Sequence, residues 1–400
     1  MDRRAKLPPI FLLGLTNSTY GMAGGFACVV LPEMLAAQGV SGGRIGAIVA
    51  WILLALVWSF FLSPMLDVRF SRRRYALVFA ALASSGVAVT VMHHGNSFLV
   101  EMVMVATYAA ASLLQAAVGG WMGSLISRQD DAKLGAWFAI GNTGAGGLMI
   151  LVGGDLVFRL RPAAAAAALA AMMMLPTLIY LVVPAPGPDR RLASESFRQF
   201  FGEIVALLRR RTVLIVLVLF LMPAASFALC NILAGVGADF HASASVINFS
   251  GGIGVLLAGL AGSLAVPILA RRIPLKGLYL AIGVVGALFT FGVWAMPRMP
   301  WVFALALIGE NIFQASAFSV EAGIAFESIG SDNPLASTQF SLLMAASGVP
   351  ITYMGLIDSH IYDLHGLTGG MLADAGISVA VCMVLGAWLI WLRGRAKQAA

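Results

Sequence analysis

Apolar residues in this chain follow neither the two-residue period of a strand nor the one-sided period of a surface helix. They run almost unbroken for about 20 residues at a time, the length a helix needs to cross a bilayer. Twelve such runs are predicted, at 9–37, 44–66, 75–93, 98–126, 134–157, 163–183, 212–237, 246–269, 277–296, 301–327, 338–361 and 371–392. Polar or basic segments separate them, such as His93 to Asn96 and Ser127 to Asp131. The sixth run holds Ala163 to Ala168 and Met172 to Met174, and reads as a plain packing helix. Arg3, Arg4 and Lys6 precede the first run as in a secretory signal, but the run is too long and lacks a small-residue cleavage pattern. It reads as a retained first span.

Composition narrows the class. Of 400 residues, 60% are hydrophobic and 11% charged, against about 25% charged in a soluble domain. The expected fold is therefore an all-α membrane protein of twelve transmembrane helices in two six-helix, pseudo-symmetric halves. The longest polar stretch divides them, giving an N-terminal half 1–183, a linker 184–211 and a C-terminal half 212–400. The linker opens on Pro184, Pro186, Gly187 and Pro188 and turns basic and amphipathic around Phe197 to Leu208.

The net charge of +7 is not a nucleic-acid footprint, because the basic residues sit in short clusters between apolar runs. Of the 25 Lys and Arg, only Arg44, Arg159, Arg161 and Arg298 fall outside one set of alternating loops and the two termini. The positive-inside rule then places both termini in the cytoplasm, for a multi-pass protein of the cell's inner membrane. Arg69 with Arg72, Arg73 and Arg74 follows the second span, and Arg271, Arg272 and Lys276 follow the eighth. That echo is the mark of parallel repeats.

A charge at the bilayer centre costs roughly 2.5–3.5 kcal/mol, so polar residues inside spans are candidates for function. Span ten carries Glu310, Asn311, Gln314, Ser316, Ser319 and Glu321. Helical spacing aligns Glu310, Gln314 and Glu321 on one face. No Lys or Arg lies deep in any span to neutralise the two carboxyls, which makes Glu310 and Glu321 the candidate proton-coupling groups. Asn17 and Tyr20 in span one, Gln115 in span four, Asn142 in span five and Asn231 in span seven join Glu310 and Gln314 as candidate substrate contacts. Each also has an alternative as an interhelical hydrogen bond of about 1 kcal/mol. Asp358, His360 and Asp363 form a possible small cluster near span eleven's end.

Cys28, Cys230 and Cys382 all lie inside apolar runs and read as packing residues, not a disulfide framework. No phosphate-binding lysine loop, His-Glu-x-x-His zinc motif or Gly-x-Ser-x-Gly elbow occurs. No enzyme activity, cofactor or metal is expected. The expected partners are a small-molecule substrate, the lipid bilayer and protons, for a chain acting as a monomer.

Twelve spans, a 6+6 division and paired basic loops resemble the major facilitator superfamily. Asp67 with Arg69, Arg72 and Arg73 is similar to that superfamily's 2/3-loop signature, which implies a conformational latch. Further stretches look like its peptide/acetyl-CoA/drug transporter branch, which includes muropeptide and ferric-siderophore permeases. They are Leu31 to Leu35 with Gln38 to Ser41; Ser63, Pro64, Met65, Leu66 and Asp67; and Ser337, Thr338, Gln339 through Leu343. This chain has Ser59 where the branch often has a lysine. The resemblance implies alternating access and proton-coupled import of a bulky polar solute, a ferric siderophore or a muropeptide-like compound. A drug or metabolite exporter on the same fold is the alternative, and a membrane-embedded enzyme or sensor a more distant one.

Overall fold

The computed structural model describes residues 7–184, 197–233, 236–330 and 333–398. Residues 185–196 of the expected linker lie outside that set. Among the described residues every regular element is a helix.

Among the described residues ten stretches are long and apolar enough to cross a membrane, and the shorter apolar helix Arg211–Leu221 joins them. We label them α1 (Ser18–Ala37), α2 (Gly43–Asp67), α3 (Arg72–Met92), α4 (Ser97–Gly123), α5 (Arg128–Arg159) and α6 (Pro162–Leu181). After the linker helix Phe197–Arg209 come α7 (Arg211–Leu221, resuming at Leu229–Leu233), α8 (Ser245–Leu269), α9 (Leu275–Trp294) and α10 (Pro300–Ile329). The last stretch, Ala336–Arg395, is two helices, because Gly366 turns the backbone to φ 64°, ψ −169°. The parts 336–365 and 367–398 are α11 and α12. A non-glycine residue is disfavoured at that φ, so one glycine separates two spans that hydropathy alone would join. Side chains such as Trp51, Phe61, Leu178 and Ile390 are exposed, as the faces of lipid-bathed helices require.

The chain forms two compact units. The first comprises Met1–Arg210 with Ala325–Ala345, the second Arg211–Ile324 with Ala346–Ala400.

In the first unit α1 packs along α5, and α3 along α4 and α6. The α1–α5 approach is backbone on backbone. A Cβ on Gly21 would stand 2.0 Å from the Asn142 carbonyl oxygen, and one on Gly25 2.4 Å from that of Gly146. Small residues at helix crossings take the place of a hydrophobic drive that lipid does not supply. Phe138, Phe326 and Phe340 pack on one another within this unit, with ring centroids 5.3–5.5 Å apart. The first predicted span is not continuous. A turn at Thr16–Asn17 separates the short helix Ile10–Leu15 from α1. Side chains tie that turn down: Tyr180 donates its hydroxyl to the Thr16 carbonyl at 3.0 Å, and Thr19 donates to the Met173 carbonyl at 2.8 Å.

The second unit contains a larger break. Helix α7 stops at Leu221, and Met222 to Ala228 run without regular structure until Leu229, with Pro223 at the stop and Phe227 at φ 47°. Backbone groups released inside a membrane must find other partners. Tyr353 donates to the Leu221 carbonyl at 2.9 Å. Ser378 and Cys382 both donate to that of Ala224, at 2.7 and 3.1 Å, and Gln314 Nε2 donates to that of Phe227 at 3.3 Å. Helices α10, α11 and α12 thus supply donors to the Leu221, Ala224 and Phe227 carbonyls at the break. Beyond the break, Leu229, Leu233 and Phe240 pack with Val302, Phe303, Leu307 and Met371 in a buried apolar cluster.

Candidate functional site

The densest polar network in the first unit is built on Asp67. The 3-10 turn Phe60–Asp67, with Pro64 inside it, ends α2 and delivers the carboxyl to the start of α11. Its side chain is fully buried. Oδ2 accepts from the Thr338 backbone N–H and hydroxyl, both at 2.8 Å, and Oδ1 from the Ser337 N–H at 3.1 Å. These donors are the free N–H groups of a helix N-terminus, where a negative charge is favoured. Arg72 pairs with Oδ1 at 2.9 Å and donates to the carbonyls of Pro334 at 3.1 Å and Asn333 at 3.4 Å. Gln339 continues the network: its Nε2 donates to the Ser328 carbonyl and hydroxyl, both at 2.9 Å, and its Oε1 accepts from Asn333 at 2.7 Å.

Asp67, Arg72, Thr338 and Gln339, expected from two separate motifs, therefore meet in one place. Arg69, exposed and left-handed at φ 71°, and the half-buried Arg73 take no part in it. Elsewhere in this unit Arg44 pairs with Glu101.

The other first-unit candidates are dispersed. Asn17 is buried and donates to the Phe138 carbonyl at 3.2 Å, and its Oδ1 has no partner. Tyr20 meets Tyr108 hydroxyl to hydroxyl at 3.3 Å. Gln115 is buried in α4, and Asn142 is half-buried beside Gly21.

In the second unit the face of α10 separates into distinct environments. Glu310 is 1% exposed. Its Oε1 accepts from the Thr290 hydroxyl of α9, and its Oε2 has no partner. Gln314 has its amide on the Phe227 carbonyl. Glu321 is buried too, but its carboxyl is hydrogen-bonded by Tyr279 of α9 and Ser347 of α11. The Asn231 side chain lies outside the described residues.

The expected cluster of Asp358, His360 and Asp363 does not form. His360 and Asp363 are exposed, whereas Asp358 is fully buried and faces Asp374 of α12. Sequence reading passed over Asp374. The available signal was an acid standing among apolar residues soon after the glycine-marked turn at Gly366.

No protein-family model matches the sequence, and no curated protein matches it. Solved structures do. The chain superposes on the human organic anion transporter MFSD10 with a TM-score of 0.70 at 16% identity, covering 94% of this chain and 100% of that one. The fucose:proton symporter FucP of E. coli gives 0.68 at 15%, covering 95% and 98%. The proton:xylose symporter XylE gives 0.68 at 14%, covering 94% and 95%. The chain has the fold of the major facilitator superfamily transporters.

Proposed function

We propose that this protein is a secondary active transporter that couples import of a bulky polar solute to protons by alternating access. The observation that carries the reading is Glu310. It is buried in a predicted membrane span, no ion pair reaches it among the described residues, and it leaves one oxygen without a partner. A carboxyl kept in so costly a place usually serves a transport pathway. The likeness to solved transporters, two of them named as proton symporters, supports the class. Breaks in the first and seventh spans support it too, since discontinuous helices line solute sites in transporters. Asp67 and Arg72 act as the latch in this reading, holding the start of α11 in one conformational state. The six-helix halves 1–183 and 212–400 are the moving parts, both termini are cytoplasmic, and the membrane is the inner one. The solute belongs to the ferric-siderophore or muropeptide class that the sequence motifs suggest.

Proteoliposomes test this, with labelled ferric siderophore and anhydromuropeptide offered under an imposed inward proton gradient. Accumulation of one probe that disappears when the gradient is collapsed is the expected result. Glu310→Gln should lower that accumulation at least tenfold and leave probe exchange at equal concentrations intact. Wild-type accumulation by this variant would remove Glu310 from the coupling role. Outward pumping of either probe would reverse the assigned direction.

A further inference from the structure

The second unit holds a cation fixed in place without a counter-charge. Arg298 lies in the turn between α9 and α10 and is half-buried. Its Nη2 donates to the Thr368 hydroxyl at 3.1 Å and its Nη1 to the Met371 sulfur at 3.6 Å, both on α12. The guanidinium carbon stands 5.1 Å from the ring centroid of Phe240, which precedes α8. Phe240 and Met371 belong to the buried apolar cluster, so the guanidinium rests on a packed floor.

Every one of these partners is neutral. Among the described residues no ion pair reaches Arg298, whereas two other arginines on the side assigned to the outside are paired, Arg44 with Glu101 and Arg159 with Asp155. The adjoining acid is engaged elsewhere: Asp239, next to Phe240, accepts from the Tyr362 hydroxyl of α11 at 2.9 Å. A guanidinium has five N–H donors, and two of these have partners, so three remain for an acceptor. Holding the planar fork in advance removes the ordering cost that a mobile arginine meets on binding a carboxylate.

We propose that Arg298 is the entry-side contact for a carboxylate on the solute. The inference rests on the reading of the chain as an importer and adds the charge of what it admits. Under the assigned orientation the α9–α10 turn lies on the side from which an imported solute arrives. There the solute's carboxylate takes parallel N–H bonds from the guanidinium in place of water. An arginine that only clipped the start of α10 to α12 would be indifferent to the charge of the solute. One that receives a carboxylate separates an acid from its ester, and does so through affinity.

The test is equilibrium binding to the full chain in lipid nanodiscs, with no gradient. The probes are labelled anhydromuropeptide and ferric siderophore, each as the free acid and with every carboxyl not bound to iron converted to its methyl ester. The wild type should bind one probe roughly tenfold or more tightly as the acid than as the ester. Arg298→Gln removes the charge and keeps an amide donor. It should weaken binding of the acid by a similar factor and leave the ester unchanged. Equal affinity of the wild type for acid and ester overturns the proposal, as does loss of both or of neither in the variant. If Arg298→Gln does not fold, Arg298→Lys decides by the same comparison, because it keeps a charge and loses the fork. A loss confined to the acid supports the contact, and no loss or an equal loss overturns it. Binding of neither acid by the wild type overturns the inference together with the solute class it assumes. Failure of the coupling reading shows differently: the acid is then bound selectively through Arg298, and no gradient-driven accumulation follows.

Discussion

Single residues bear unequal weight in this molecule, and burial sorts them. Asp67 is enclosed by three donors from α11 and by the Arg72 guanidinium. Replacing it with alanine leaves those donors without an acceptor and Arg72 without its counter-charge. Losses of this kind cost about 3–5 kcal/mol. Asp67→Ala should therefore lower the midpoint of thermal unfolding in detergent well below that of Arg69→Ala, whose exposed side chain is outside the network. Equal midpoints for the two variants would count against this account. The residue types of the site were legible in the sequence, since Asp67, Arg72, Thr338, Gln339 and Glu310 were all singled out as polar or motif positions. Their partners were not, because a hydrogen bond between Asp67 and Thr338 joins positions far apart in the chain. Gln314 shows the same limit. Its spacing put it on the face of Glu310, while the nearest acceptor, the Phe227 carbonyl, was freed by a break that periodicity did not reveal.

At the level of elements, the long apolar runs translated directly into helices, because coiling is the way a segment in lipid satisfies its own backbone. The interruptions were harder to read. Pro223 and the Thr16–Asn17 pair were visible as residues, yet whether a helix stops there depends on side chains arriving from other helices. Two predictions belong here. Gly25→Leu places a branched side chain where a single Cβ already stands 2.4 Å from the Gly146 carbonyl oxygen. It should separate α1 from α5 and cost roughly 1–3 kcal/mol or more, the usual penalty of overpacking, read as a lower melting midpoint. Removing both donors to Ala224, in the double variant Ser378→Ala with Cys382→Ala, leaves that carbonyl unsatisfied in the second unit. A loss of about 1–3 kcal/mol is expected, read in the same assay, and each single variant should cost less because the other donor remains.

For the whole molecule, the count of apolar runs leads us to expect twelve crossings, and the lopsided distribution of arginine and lysine is the ground for the proposed orientation. Reporter fusions check it: phosphatase joined after Arg298 should be active, and phosphatase joined after Arg74 or Arg272 silent. Active fusions at both kinds of position would contradict the assigned orientation. The division into compact units was less visible, since 325–345 joins the first unit although it lies deep in the C-terminal sequence. The Asp67 network explains that grouping, because α2 and the start of α11 are bonded through one carboxylate.

The unwound stretch in α7 also has a bearing on how the protein is made. The helical piece Arg211–Leu221 has 11 residues, about 16 Å of rise against a hydrocarbon layer of about 30 Å. A nascent chain that ended there would be too short to span. While the ribosome is still translating α8 and α9, the donors on α10, α11 and α12 do not yet exist. During that interval the segment from Arg211 onward lacks those donors, and Pro223, without an N–H, keeps a helix drawn through it from satisfying all its own carbonyls. The carbonyls of Leu221, Ala224 and Phe227 meet their native donors only once Gln314, Tyr353, Ser378 and Cys382 have been synthesised and inserted. Maturation of the second unit is in this sense a late, post-insertion event, and a chain released before Ser378 would keep its seventh span in an immature form.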